Sequence, residues 1–532
     1  MKTFRNLLGR TLLLAMMLIA LPAFAQLNVS GLVIDQQREP VIGASVIVKG
    51  TSQGTSTDID GRFTISVPSK DATLVVSYVG CITVEVKAGS NELTSGIMLK
   101  ENAEVLDEVV VIGYGRVKKS DATGSMVAVK PDDFNKGNRT SVQEAMIGKI
   151  PGVNVVTSSG APGSGATVRI RSGASLSASN DPLFVVDGVP IDNSTIEGAS
   201  NLIGGINPED IETFTVLKDA SATAIYGSRA SNGVVVITTK KGGDRLNVTY
   251  TGQFAISHKT KSLDVLTGDD FRAFVPTITG VPADAQFGTY NTDWQKEIYR
   301  TAFGTEHNLS VAGKCNPIST PYRVSVGYTN QNGIIKSNNY QRFTAGVALT
   351  PKLLNDHLNI NANAKFSYEN NNMVNDGVLI NALRYDPTRP VKTGSTTAAT
   401  DPGLGYFIWM NGNNPMAIQT DNPVAALELD DRVNKVVRSI GNAQFDYKIH
   451  GLEDLSVNLN LGYDVLQSKY TRIVPELAGM MYTGNQKDGT GLDVEGKQNK
   501  SNLLLDVYAN YHHNWNNKHD FTVMAALLAQ VQ

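Results

Sequence analysis

Cysteine is nearly absent: Cys81 and Cys315 are the only two in 532 residues. They fall in segments that read as different domains, so no disulfide framework is expected. Charge of one sign is also missing. Lys+Arg number 47 against Asp+Glu 50, a net charge of -3, which gives no electrostatic case for binding nucleic acid or anionic lipid. After residue 25 no apolar run is long enough to span a bilayer as a helix. Catalytic signatures are missing too: there is no HExxH, no P-loop lysine motif and no G-x-S-x-G elbow. The near misses are weak. His450-Gly451-Leu452-Glu453 has a metal-ligand spacing but sits in a short predicted turn with no third ligand nearby. His512 and His513 are adjacent in a predicted strand and point to opposite faces. Asp58-Ile59-Asp60-Gly61 lacks the distal Glu of a calcium loop and reads as a hairpin turn. Gly113-x-Gly115 lacks the third glycine, the helix and the ribose-binding acid of a dinucleotide loop. No catalytic residue, metal ligand or cofactor is expected, and the chain does not read as an enzyme.

What is present is a secretory signal followed by strands. Lys2, Arg5 and Arg10 precede the apolar run 11–21, and Ala23-Phe24-Ala25 fits cleavage before Gln26. Residues 1–25 are therefore expected to be removed outside the cytoplasm. Residues 27–100 alternate apolar and polar positions in short runs around Val29–Val33, Val46–Val48, Phe63–Val67, Leu74–Val79 and Ile82–Val86, the pattern of a small β-sandwich. A polar linker follows, 101–115. It contains Asp107-Glu108-Val109-Val110-Val111-Ile112-Gly113-Tyr114-Gly115, strong in strand propensity but without an obvious local partner. Such a peptide suits addition to another protein's sheet edge; a buried strand of a neighbouring domain is the alternative.

Residues 116–243 read as one α+β unit. Ser141–Ile150 predicts a helix with Ser141 as N-cap and Glu144 completing a capping box, ended by Pro151-Gly152. Strands are expected at Val153–Val156, Val168–Arg171, Leu183–Val186, Ile211–Lys218 and Val234–Thr239, with a short helix over Ala220–Tyr226.

From Leu246 onward the alternation lengthens. About nine strands are expected, near 246–257, 305–313, 321–330, 341–350, 357–368, 435–449, 455–467, 500–513 and 519–528. Leu358, Ile360, Ala362, Ala364, Phe366 and Tyr368 share one face against Asn359, Asn361, Asn363 and Lys365. Tyr328, Phe343, Tyr368, Tyr447 and Tyr463 lie near predicted strand ends, as aromatic girdles require. Short connections alternate with long ones, the asymmetry of an outer-membrane barrel with short periplasmic turns and longer extracellular loops.

Several of these segments carry a resemblance. Gly43–Pro68 resembles the carboxypeptidase-regulatory-like domain, a transthyretin-like sandwich. DEVVVIGYG at 107–115 resembles a TonB box. GKIPGVNVV, VRIR, NDPLFVVDGVPIDN and the segment Ile206–Gly243 resemble the plug of TonB-dependent outer-membrane transporters, specifically the SusC/RagA branch. In the last segment the pattern rests on Leu217, Lys218, Asp219, Ala220, Tyr226, Gly227, Arg229, Asn232 and Gly233.

The resemblance implies a mainly β chain: the sandwich, the linker with its TonB box, the plug at 116–243, and an incomplete antiparallel transmembrane β-barrel over 244–532. It implies TonB-dependent uptake of a nutrient, an oligosaccharide or less often a peptide. The implied partners are TonB with its inner-membrane complex, a SusD-like surface lipoprotein and outer-membrane lipid. Two other classes fit the composition: a non-transporting binding or signalling protein of the outer membrane or periplasm, and a secreted accessory β-sandwich protein. An odd count of about nine strands does not close an even-numbered barrel, and the resemblance implies a longer protein. The expectation is an N-terminal portion.

Overall fold

The computed structural model describes residues 27–531, except 36–37, 50, 52, 79–80, 82, 100–108, 113–114, 119–125, 131–136, 138–140, 158, 172–179, 192–202, 219–223, 279, 281–286, 316–319, 396–400, 413, 417–419, 483–489 and 516–518. It divides into two compact units, the first reaching to Val109 and the second holding most of the chain from Val110 on.

The first unit is a sandwich. Leu27–Ile34 lies between Arg62–Val67, antiparallel to it, and Ile97–Met98, parallel to it. The facing sheet runs Gly54–Ser56, Ser45–Val48, Thr73–Ser77, Val84–Lys87. Alternate residues from both sheets, among them Val33, Val46, Phe63, Ile65, Leu74 and Val76, fill the space between them. The Asp58–Gly61 turn forms as its residues dictate: Asp58 Oδ1 accepts from the N–H groups of Asp60 (3.0 Å) and Arg62 (2.8 Å). The expected hairpin does not form. The strands before and after the turn belong to opposite sheets, so the turn is a corner between layers.

In the second unit the central sheet of the plug has the order Met126–Val129, Ile211–Leu217, Val234–Thr239, Leu183–Val186, Val189–Ile191. Val234–Thr239 is the middle strand, parallel to Leu183–Val186 and antiparallel to Ile211–Leu217. That position explains its apolar residues on both faces. Val153–Thr157 and Ala166–Ile170 form a separate antiparallel pair. The expected helix at 141–150 is reduced to one turn, Val142–Ala145. Ser141 Oγ does accept from Glu144 N, at 3.3 Å, but the chain turns away at once, with Gly148 at φ 70 and Pro151 close behind. Val142, Met146 and Ile150 are still buried against the sheet.

Nine long strands follow in simple sequential antiparallel order. They are Asn247–Ser257, Ala302–Cys315, Thr320–Asn332, Asn339–Leu349, Leu358–Met373, Asp431–Ile449, Leu452–Val474, Leu492–Trp515 and His519–Val531. The sixth to eighth extend well past their predicted ends, to 19, 23 and 24 residues. The added length lies on the long-loop side, where the outward face turns polar at Lys469 and Glu495 and the apolar alternation stops.

The register fixes how these strands meet a membrane. One row of register partners joins His307, Tyr328, Phe343, Tyr368, Val437, Gln467 and Asn499 across the second to eighth strands. On the fifth and sixth strands the apolar outward band ends in this row, at Tyr368 and Val437. On the first strand, whose Gly252 pairs with His307, it ends four residues higher, at Ile256; on the eighth it ends four lower, at Leu503. A slip of about 26 Å along the strands against about 34 Å across them inclines the strands by roughly 40°. That is the tilt of a transmembrane barrel. The band Leu358–Tyr368 is then about 25 Å tall, a hydrocarbon thickness. The sheet is open: Asn247–Ser257 and His519–Val531 are its two edges.

The long connections pack into a cap on the opposite side from the short turns. Trp294 and Ile298 from one, and Val378, Ala382, Tyr385, Tyr406 and Val424–Leu427 from another, form a single apolar cluster. Trp294 Nε1 donates to Asp386 O at 3.0 Å, and its ring meets Tyr385 edge-on at 4.7 Å.

Candidate functional site: the plug–wall interface

The residues singled out in sequence are largely structural in their placement. Within the TonB-box segment, Asp107, Glu108, Gly113 and Tyr114 lie outside the described residues. Val109–Ile112 is a strand, and it does have a local partner, Gly115–Lys118, in a two-stranded sheet. A lone pair of strands is only marginally stable in water, so the pairing does not hold the segment strongly. Of the plug signature, Asp219 and Ala220 lie outside the described residues. Leu217 is fully buried at the end of its strand. Lys218 donates to Pro151 O. Tyr226 packs on the cluster of Leu183, Val185, Val234 and Val236. Of the short helix expected over 220–226, residues 220–223 lie outside the described residues; from Ala224 a 3-10 segment runs to Ala230, broken at Gly227. Arg229 donates to Gln530 of the ninth barrel strand, and Asn232 Nδ2 to Asp181 O. Gly233 has φ 90, and a Cβ there would meet Ile170 and the Leu217 carbonyl, so the strand can enter the sheet only through a glycine.

The functional geometry lies where the plug meets the lumen wall, and its chemistry is polar. Asp187-Gly188 is the two-residue turn between Leu183–Val186 and Val189–Ile191, with φ 47 and 90, the type I′ conformation that an Asp-Gly pair favours. The turn aims the Asp187 carboxylate at the wall. The carboxylate accepts from Thr239 N (2.9 Å), Thr239 Oγ1 (2.7 Å) and Lys365 Nζ of the fifth barrel strand. Burial alone would raise the Asp187 pKa. The Lys365 ammonium and the Thr239 donors outweigh it and hold the carboxyl below its ordinary value. Around this pair an amide network runs along the wall. Lys365 donates to Asn363 (2.8 Å), Asn363 to Asn442, Asn442 to both Asp187 O (2.9 Å) and Asn460 (3.0 Å), and Asn460 to Asp506 (3.3 Å).

Further bonds pin neighbouring parts of the plug. Asp210 accepts from Arg323 Nη2 (2.7 Å) and Ser325 Oγ (2.9 Å). Asn207 Nδ2 donates to Asn308 Oδ1 at 2.7 Å. Arg342, 2% exposed, donates to Gly204 O at 2.7 Å. The wall is also cut back to admit the plug: a Cβ on Gly327 would lie 2.6 Å from Asn207 Nδ2. Between the Asp187 and Asp210 pins is a small polar cleft, lined by Lys240, Arg323, Gly346, Val347, Asn363 and Lys365 among others. Its wall residues are in the half of the strands nearer the short turns.

This constellation escaped sequence reading because each pin joins residues far apart in the chain, 178 positions for Asp187 and Lys365. The available signal was the inward face of the fifth strand, Asn359, Asn361, Asn363 and Lys365, whose polarity is wasted unless another polar surface faces it.

A polar plug pinned within the curve of a tilted, lipid-banded sheet defines the class: the receptor architecture of TonB-dependent outer-membrane proteins. The comparisons agree. Residues 29–111 match the CarboxypepD_reg-like domain and 118–234 the TonB-dependent Receptor Plug Domain. The chain is 45% identical over 520 residues to the TonB-dependent receptor SusC of Bacteroides thetaiotaomicron, covering 94% of this chain and 50% of SusC. It is 39% identical to TonB-dependent receptor P3 of Formosa agariphila, covering 60% of this chain and 30% of P3. Among solved structures, the RagAB peptide importer in its 'open-open' state superposes with a TM-score of 0.61 at 24% identity, covering 79% of this chain and 48% of that one. The chain belongs to the SusC/RagA-type TonB-dependent receptors. It spans about half the length of SusC.

Proposed function

We propose that this chain is the plug-bearing part of a transporter that takes up a nutrient across the outer membrane, driven through TonB. The single observation that carries the proposal is the polar seat of the plug. An apolar interface would fuse plug and wall into one core. Hydrogen bonds and ion pairs at a wet interface can instead be exchanged for water, so the plug can shift without unfolding the wall. The nine strands would form part of a larger closed barrel, because two unpaired edges facing lipid are very costly.

In this reading residues 1–25 are the signal peptide, 27–100 form a periplasmic sandwich, and Asp107–Gly115 pairs with TonB as an added strand. Force on that segment reaches the plug through Met126–Val129, the edge strand of its sheet. A surface lipoprotein would close the barrel mouth above the cap. The cargo is an oligosaccharide or a peptide. The amide-lined wall, with its many donors and acceptors, suits either.

The test is uptake by cells producing the receptor with residues 107–115 deleted. Outer-membrane insertion and heat-modifiable migration should be retained while energised uptake is lost. Uptake that survives the deletion would overturn the TonB-box assignment.

A further inference from the structure

At the short-turn rim, opposite the cap, His357 sits in an unusual turn. The three residues before it, Leu354, Asn355 and Asp356, all have positive φ (54, 53 and 68). None is glycine, so each carries left-handed strain. The turn is therefore held by its bonds rather than by its own preferences. His357 supplies several of them. Its N–H donates to Leu354 O at 3.2 Å, and its carbonyl accepts from Lys448 N at 2.8 Å. Its ring bridges to the next turn: Nδ1 is 2.9 Å from Leu354 O, and Nε2 is 2.7 Å from Glu453 Oε1.

Those two ring contacts decide the protonation state. A carbonyl and a carboxylate can only accept, so both nitrogens must donate, which a neutral imidazole cannot do. The face of the ring stacks on His450 at 3.8 Å and 8°. His450 Nδ1 lies 2.9 Å from Tyr447 OH, a group able to donate to a neutral ring. The other charged groups beside the pair are Lys448 and Asp356, which flank Glu453 and His357 respectively. On the same strand, Asp454 pairs with His513 of the eighth strand at 2.7 Å, so adjacent carboxylates clasp rim histidines on both sides.

We propose that His357 is an imidazolium clasp that locks the strained 350–357 turn to the 450–453 turn, making the periplasmic rim of the wall responsive to pH. The Glu453 side chain raises the affinity of His357 for its proton, the bond to Leu354 adds to this, and the folded pKa lies above the ordinary value of 6.5. The linkage sign follows. The contribution is fully present below the unfolded pKa and is lost as pH rises through the folded one. Above that point one nitrogen loses its proton, one contact becomes a clash of lone pairs, and the strained turn is released.

The test is ¹⁵N-histidine NMR of the detergent-solubilised receptor across pH, with His357 assigned by the His357→Asn variant. Alongside it, hydrogen exchange is measured for 350–357, corrected for intrinsic rate. The expected result is a doubly protonated His357 persisting above the pH of free histidine, with exchange of the turn rising as it titrates. Glu453→Gln should lower the midpoint by about one pH unit, while Asp454→Asn should leave it in place. Heat-modifiable migration checks that each variant is folded; if Glu453→Gln is not, Glu453→Ala replaces it, removing the same acceptor and lowering the same midpoint. Titration of His357 at or below the free value, or exchange that ignores its titration, would overturn the proposal.

Discussion

Among single residues, Asp187 carries the most. It is a buried carboxylate whose partners come from its own sheet and from the wall. Replacing Lys365 with Met leaves that charge unpaired, a change that costs about 3–5 kcal/mol where a buried pair is broken. The expected outcome is a plug that proteases attack at lower denaturant concentration while heat-modifiable migration of the wall is unchanged. Reversing the pair, Asp187→Lys with Lys365→Asp, should recover part of the loss. Acid should do the same as the Met substitution. Asp187 has a folded pKa below its ordinary 3.8, so its contribution is present above that value and is lost as pH falls through the folded pKa. Plug protection followed from pH 6 down to pH 2 should fall only at the acid end. A decline already complete near pH 5 would assign the seat to other groups.

For the elements, alternation and turn chemistry explain what could be read in advance. Leu183–Val186 and Val234–Thr239 form at the residues their apolar runs mark, because a strand buried on both faces needs no partner-specific signal. The nine wall strands are legible from the opposite pattern, strict alternation with one apolar face, up to the point where lipid no longer demands apolar residues. The helix expected at Ser141–Ile150 shrinks to Val142–Ala145: the cap and the apolar face are real, but an element of one turn gains little from propensity and is fixed by its burial. Met126–Val129 and Val189–Ile191 are too short to announce themselves. The seat was least legible, since its shape depends on what is missing from the wall. Gly327→Val should therefore displace Asn207 and Asn308 and raise hydrogen exchange over 203–217, with overpacking costs of about 1–3 kcal/mol. In the cap, Trp294→Ala should remove a central ring and its bond to Asp386, costing about 3–5 kcal/mol locally. Exchange should rise over Gly377–Arg384 and Pro423–Leu429 and not in the wall strands.

At the scale of the whole molecule, the arrangement separates what must hold from what must move. The wall is held by long continuous ladders, from Asn247–Ser257 through His519–Val531. The plug has its own core, built from Val186, Ile191, Phe214, Val216, Val235 and Ile237 among others, and meets the wall mainly through side-chain amides and ions. On the wall side Ile440 of the sixth strand joins that apolar core, and Val189 of the plug packs beside Gly462. A unit with its own core can be displaced as a body, and the bonds broken at its edge are replaced by water.

That separation is the central claim, and thiol labelling at Val189 tests it most directly. Val189 is 2% exposed and faces Gly462 of the seventh strand, on the plug side of the seat and outside its polar pins. In a receptor with Cys81 and Cys315 changed to Ser, Val189→Cys should resist a periplasm-accessible maleimide in resting cells. It should label when substrate is supplied and the proton gradient is intact, with heat-modifiable migration of the wall unchanged. Labelling that is the same with and without energisation, or that appears only when the wall itself unfolds, would contradict the account.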